Sequence, residues 1–208
     1  SHALITTPGA TRFYRSAGEL ARQSVRARLA GGARLEWLPL ETICHPRALA
    51  ENQLRFELEP GAEMIGWDLL ALGLPASGEA FDAGRFTQAI ELPGVWLERG
   101  VIDGGDALLL DSPLGWAGHR VLATLWFAAG SALDADRRAA LLDAARALGA
   151  GHALARSAGA TAPHERLVVL RVLAARVEPA MQLLSAAWAR WRAAAWGLDA
   201  CVPRVWRT

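Results

Sequence analysis

Along Leu54-Arg55-Phe56-Glu57-Leu58-Glu59 apolar and charged residues alternate without a break, placing Leu54, Phe56 and Leu58 on one face and Arg55, Glu57 and Glu59 on the other. The pattern predicts a half-buried strand, and Pro60-Gly61 predicts the turn that ends it. Residues 86–92 and 95–102 repeat the pattern across Pro93-Gly94, and Gly104-Gly105 separates them from a further predicted strand at residues 107–111. The opening Ser1-His2-Ala3-Leu4-Ile5-Thr6-Thr7 alternates like a strand already under way, with neither a starting Met nor a basic leader, so the chain reads as a fragment. Short strands divided by turns up to about residue 111 predict an all-β body rather than βαβ units.

The period then changes. Asp134 can cap a helix running to Leu148, with Leu141, Ala144, Ala145 and Leu148 on one face and Gly149 placed to end it. A second helix starts with Pro179 at its first position. Met181, Leu184, Trp188, Trp191 and Ala195 then recur at spacings of three and four until Gly197 stops the run. Between the helices residues 149–153 read as a loop and residues 166–174 as a Val-rich strand. The expected organisation is one domain over residues 1–208, a β-rich body to residue 130 followed by helix, strand, helix and tail.

With 208 residues, 52% of them hydrophobic, the chain can bury a sizeable core. Its 22 basic and 21 acidic residues leave a net charge of +1, so no overall field draws it to nucleic acid or an anionic membrane. Charged residues interrupt every apolar stretch before it reaches membrane-span length, and Cys44 and Cys201 are too few for a disulfide framework. These features lead us to expect a soluble, cytoplasmic protein.

Catalytic signatures fail one after another. Every basic residue is Arg, which removes a phosphate-loop lysine, a Schiff-base lysine and a lysine base together. Pro75-Ala76-Ser77-Gly78 lacks the first glycine of a nucleophile elbow, and the five His residues show no pair at i, i+4. Cys44-His45 is the one adjacent pair of soft-metal ligands; neighbours on a strand point to opposite faces, so a structural Cys and a surface His is the expected arrangement. No enzyme activity is expected. A carboxylate pair in a cleft, as in glycoside hydrolysis, ranks as a distant alternative.

Five carboxylates stand in or beside apolar segments: Glu36, Glu41, Asp68, Glu79 and Glu98. Burial there is costly unless they are paired or wetted. One reading pairs them with arginines such as Arg34, Arg85 and Arg99; the other lines a polar route for a divalent cation with oxygen ligands weak enough to release it. Nine tryptophans accompany one tyrosine. Trp188 and Trp191 fit core packing on the helix stripe, yet a Trp-rich helix followed by an Arg-Trp tail also has the composition of a docking surface.

Leu35-Glu36-Trp37-Leu38-Pro39-Leu40-Glu41-Thr42-Ile43 closely resembles the LEWLPxETI motif of the urease accessory proteins called UreD, or UreH. Four further matches keep the family order: Thr6-Thr7-Pro8-Gly9-Ala10 with Tyr14-Arg15-Ser16, Gly66-Trp67-Asp68 leading to Leu72-Gly73, Gly78-Glu79-Ala80-Phe81, and Pro203-Arg204-Val205-Trp206-Arg207-Thr208. Leu40 stands where the family has Gln and Leu74 where it has Arg, and the family's upstream Gly-Gly and Gly-Asp segment does not occur. A chain short by those strands is expected to leave a sheet edge exposed.

The resemblance implies a mainly β fold with a helically wound, solenoid-like body and two α-helices in the C-terminal half. It implies a non-enzymatic chaperone that joins UreF and the GTPase UreG, binds urease apoprotein, and helps deliver nickel into the urease active site. Nickel would be held only transiently. On that resemblance Glu36, Glu41, Asp68 and Glu79 are the candidate nickel residues, and Trp188, Trp191, Arg204 and Trp206 the candidate partner-binding residues. The alternative is a β-scaffold that binds a helical partner without handling metal.

Overall fold

The computed structural model describes residues 1–74 and 77–207, the last by its backbone alone; Pro75, Ala76 and Thr208, which belong to segments singled out above, lie outside the described residues. The strands form two sheets. The first contains β1 (His2–Ile5), β4 (Arg34–Trp37), β7 (Glu63–Leu72), β10 (Val121–Ala129), β12 (Leu167–Ala174) and β11 (Ala158–His164) in that order, with β5 (Thr42–Cys44) on β7 and β2 (Thr11–Phe13) on β5. The second runs β3 (Ala21–Leu29), β6 (Leu49–Leu58), β8 (Arg85–Leu92) and β9 (Trp96–Asp103). The chain is therefore mainly β, as expected, and its strands build two packed sheets.

From β1 to β8 all pairings are parallel, because between any two paired strands the chain has visited the other sheet. Later the pattern becomes antiparallel: β8 turns into β9 through the Pro93-Gly94 hairpin, and β10 enters beside β7 with β12 and β11 beyond it. Strict alternation holds where one face meets water. In β6, Ala50, Leu54 and Phe56 point inward while Glu51, Gln53, Arg55 and Glu57 point out. β7 and β10 are covered on both faces and read as nearly continuous apolar runs instead. β1 and β3 are edge strands, and all four residues of β1 are exposed.

Helices α2 (Ala135–Ala150) and α3 (Val177–Trp196) pack on the face of the first sheet turned away from the second. Asp134 caps α2 by accepting from the backbone N–H of Asp136 (2.9 Å) and Arg137 (3.2 Å). That helix runs through Gly149 to Ala150, past the stop expected at Gly149, and closes at Gly151. α3 begins at Val177, two residues before Pro179; proline is tolerated in a first turn because those N–H groups have no helical acceptor. Gly197, in the left-handed region at φ 64°, ends it as expected. Residues 107–111, expected as a strand, form a short helix α1 (Ala107–Asp111). Asp106 Oδ1 accepts from the Leu109 N–H (2.9 Å), and this local cap wins over the apolar run.

Three apolar clusters result. One lies between the first sheet and the helices and includes Ile65, Trp67, Leu125, Phe127, Leu184, Trp188 and Trp191. The other two fill the sandwich: Leu54, Phe56, Met64, Ile90 and Trp126 at one end, Phe13, Cys44, Leu70, Leu72 and Phe86 at the other. Gly66 separates Met64 from Asp68 on the sandwich face of β7. A Cβ there would meet the Trp126 ring at 2.4 Å, so only glycine lets that indole lie flat on the sheet.

Candidate functional site

Between the two sandwich clusters the inward positions turn polar. On the second sheet they are Gln23, Asn52 and Gln88, in register across β3, β6 and β8; on the first they are Asp68, Thr124 and Arg171, in register across β7, β10 and β12. Asn52, Asp68, Gln88 and Thr124 are all buried. A line of hydrogen bonds joins Asn52, Asp68 and Gln88. Thr11 Oγ1 donates to Gln23 Oε1 (3.3 Å), Gln23 Nε2 to Asn52 Oδ1 (3.2 Å), and Asn52 Nδ2 to Asp68 Oδ1 (2.9 Å). From the other side Gln88 Nε2 donates to Asp68 Oδ2 (2.5 Å). At the far edge Arg171 pairs with Glu98 and lies over the Trp96 ring.

Asp68 is the centre of this band. Its carboxyl is pushed up to about 6, from an ordinary value near 3.8, by burial, while the Gln88 and Asn52 amides pull in the opposite direction without cancelling it. No cation touches it among the described residues. The same burial lowers the Arg171 guanidinium from its usual range. Cys44 lies in the apolar cluster next to the band, its thiol pushed up to about 12 by burial, which makes it an inert core group rather than a ligand. His45 stacks instead on Tyr14, ring centroids 4.8 Å apart.

Glu36 is placed differently. It projects from β4 toward the helices and is fully buried. Trp188 Nε1 donates to its Oε2 (2.5 Å), His2 Nε2 stands 2.6 Å from Oε1, and Arg192 Nη1 lies 3.6 Å away. A second carboxylate on the same side, Glu63, accepts both guanidinium N–H groups of Arg137 (2.5 and 3.0 Å) and the Trp196 indole (2.6 Å). Burial works to raise the Glu63 carboxyl, but these bonds outweigh it and hold it below the usual range. Together the two carboxylates clamp α3 onto the first sheet.

The remaining candidates lie apart from both. Glu41 is half-buried on the wall of a hollow of about 1220 Å³ between α3, the ends of β5 and β7, and the tail, where Leu40, Ile43, Met181 and Trp206 are among the apolar lining residues. Glu79 is exposed in a turn whose backbone pairs with Leu74. The four candidate carboxylates therefore fall on two faces of one sheet, one hollow and one surface turn. Among the described residues no three His, Cys, Asp or Glu side chains come together to hold a metal ion. Of the arginines expected to pair with carboxylates, Arg85 meets Asp103 (3.5 Å), Arg34 lies over the Trp196 ring, and Glu98 takes Arg171 instead of Arg99.

Trp188 and Trp191 are fully buried in the helix-side core, the first on Glu36 and the second donating to the Leu141 carbonyl (2.8 Å). Trp206 is half-buried: its ring packs against Trp67 (4.9 Å) and Trp188 (5.4 Å), and its Nε1 donates to Thr6 Oγ1 (2.9 Å). Arg204 is exposed at the start of the 3-10 turn Arg204–Arg207. Sequence reasoning missed Asn52 and Gln88. A signal existed, since Asn52 shares its parity with Leu54 and Phe56, and Gln88 with Phe86 and Ile90, so a polar side chain stands where alternation calls for an apolar one.

A family model described as UreD urease accessory protein matches residues 1–207. The urease accessory protein UreD of Leptothrix cholodnii is 66% identical over 208 residues, covering 100% of this chain and 75% of that protein. UreD of Variovorax paradoxus is 61% identical over 208 residues with the same coverage, and UreD of Paracidovorax citrulli is 60% identical over 206 residues, covering 99% of this chain and 75% of that protein. With a family match over nearly its whole length and relatives this similar, the chain belongs to the UreD family of urease accessory proteins.

Proposed function

We propose that this chain is a cytoplasmic urease maturation chaperone that helps deliver nickel into the urease active site, acting in a complex with UreF and UreG on urease apoprotein. The observation that carries the nickel part is the polar band across the sandwich. Asp68 offers it two carboxylate oxygens, flanked by the amide groups of Asn52 and Gln88, in a layer otherwise filled with hydrocarbon. Such oxygen ligands suit an ion that must pass on rather than stay. Nickel entering there displaces the proton that burial favours on Asp68, so uptake weakens as pH falls through about 6. Glu41, on the wall of the large hollow, and Glu79, in its surface turn, are the outer carboxylates of this reading.

The test is activation of urease apoprotein by this chain with UreF, UreG, GTP and nickel. Asp68→Asn keeps the size of the side chain but removes the charge, and it keeps both bonds once the Gln88 amide turns its oxygen toward the new NH2 group; urease activation at limiting nickel is expected to drop by about tenfold or more, with complex formation intact on size exclusion. Full activation by Asp68→Asn would refute the passage.

One observation favours the scaffold reading. The large hollow is lined mostly by apolar side chains, with Met181 and Trp206 among them, which suits the apolar face of a partner helix. Met181→Asp is then expected to abolish complex formation with UreF, whereas the passage reading predicts impaired nickel transfer within an intact complex.

A further inference from the structure

Helices α2 and α3 pack against β7, β10, β11 and β12 of the first sheet, and the second sheet covers the other side of that layer. The outer face of the second sheet is left to solvent. Register sets its side chains in rows: Arg22, Glu51, Thr87 and Val101 in one, Ser24, Gln53, Ala89 and Arg99 in the next, Arg26, Arg55, Glu91 and Leu97 in the third. Ser24 and Ala89 are short, and a hollow of about 610 Å³ opens over the middle row between the two charged ones.

The charges on this face do not balance. Arg22, Arg26, Arg28, Arg55, Arg85 and Arg99 stand against Glu51, Glu57, Glu91 and Asp103, an excess of two. Every one of the four carboxylates is taken: Arg22 holds Glu51 (2.7 Å), Arg28 and Arg55 share Glu57 (2.9 Å each), Arg55 also holds Glu91 (2.6 Å), and Arg85 holds Asp103 (3.5 Å). Arg26 makes no ion pair among the described residues, and Arg99 reaches Glu51 only through its field. Arg26 stands in register beside Arg55, a like-charge neighbour that costs stability in the free protein. On either side of Arg99, Leu97 is 61% exposed and Val101 55%. Arginine beside uncovered apolar side chains is the composition of interface centres.

We propose that this face docks an acidic surface of a protein partner, with Arg26 and Arg99 receiving its carboxylates and Leu97 and Val101 packing alongside. A nucleic-acid backbone does not suit it, because evenly spaced phosphates need a continuous basic track and Glu51, Glu57 and Glu91 interrupt this one, whereas a protein can set its carboxylates opposite Arg26 and Arg99 alone. The inference rests on the accessory-protein reading only in the choice of urease apoprotein as one probe.

The test is the double reversal Arg26→Glu/Arg99→Glu, with Arg156→Glu/Arg190→Glu, two exposed positions in the helical half, as a control of equal charge change. Arg26→Glu removes a like-charge neighbour and so offsets the weak through-space repulsion that Arg99→Glu introduces at Glu51; thermal stability is expected to hold, which keeps misfolding out of the result. Affinity for purified urease apoprotein should fall at least tenfold in the first variant and lose most of its salt dependence, with the control near wild type. A synthetic glutamate-rich peptide at low salt provides the second probe, bound by wild type and the control and released by the face variant. Equal peptide binding by all three would overturn the proposal, as would equal loss of urease binding in both variants. If wild type binds the peptide but not urease apoprotein, the accessory reading is what fails.

Discussion

Glu36 on β4 and Asp68 on β7 belong to the same sheet, and both lie in segments that identify the family, yet they are held in opposite ways. Glu36 faces the helices and collects an indole N–H, an imidazole and a guanidinium. Asp68 faces the second sheet and collects two neutral amides. The first set contains a permanent cation, which stabilises a carboxylate inside a protein; the second contains none, and burial accordingly favours the proton. One carboxylate fastens a helix. The other joins two strands of the second sheet to the first across an otherwise apolar layer. Sequence position does not separate these roles; partner chemistry does.

Removing the fastening carboxylate should break the comparison most visibly. Glu36→Ala leaves the Trp188 indole without its acceptor and Arg192 without its ion-pair partner, and is expected to cost about 3–5 kcal/mol, measured as a shift in the urea midpoint. Glu36→Gln should recover part of that loss, since its carbonyl still accepts from Trp188. A cost below about 1 kcal/mol for the alanine variant would mean that α3 is held by its apolar stripe and the Glu63–Trp196 bond without help from Glu36.

Asp68 sharpens the comparison through pH. Its folded value, about 6, lies above the ordinary 3.8, so between these values the folded chain keeps a proton that the unfolded chain has released. The contribution is fully present below about pH 4 and is lost as pH rises through 6, on the order of 2–3 kcal/mol. Wild type should therefore lose stability relative to Asp68→Asn over that window, and a flat difference between the two would place the carboxyl in contact with water. A smaller effect is expected from Trp206→Ala, which gives up two ring contacts and the bond to Thr6: about 1–2 kcal/mol, with faster proteolysis of the segment after Gly197.

Much of the architecture was legible because periodicity survives wherever one side of an element meets water. The alternation of β6, the β8–β9 hairpin, the Asp134 cap and the Leu184-Trp188-Trp191 stripe all show it. β10 left no such trace, since Val121–Ala129 is covered on both faces and its apolar run fits a strand or a buried helix equally. β11, rich in Ala and Gly, has weak strand propensity and owes its place to pairing with β12. For the site, the sequence told which residues were unusual but not which layer each would face. Glu36 and Asp68 part company only because β4 pairs with β7 in the register Glu36 to Ile65, which puts Glu36 on the helix side and Asp68, three residues along, on the sandwich side.

The bond between Trp206 and Thr6 spans 200 residues, and the one between Trp188 and Glu36 spans 152. Contacts of such sequence separation are formed late, because the closing of so long a loop must be offset by structure already in place. During synthesis the β1–β4 edge emerges early and waits for its covering helix until residues near 188 have left the ribosome. For that interval Trp67, Leu4 and Glu36 face solvent on an unfinished sheet. For a protein built this way, slowing synthesis ahead of α3 should raise the share of chains that aggregate, and added holdase chaperone should lower it.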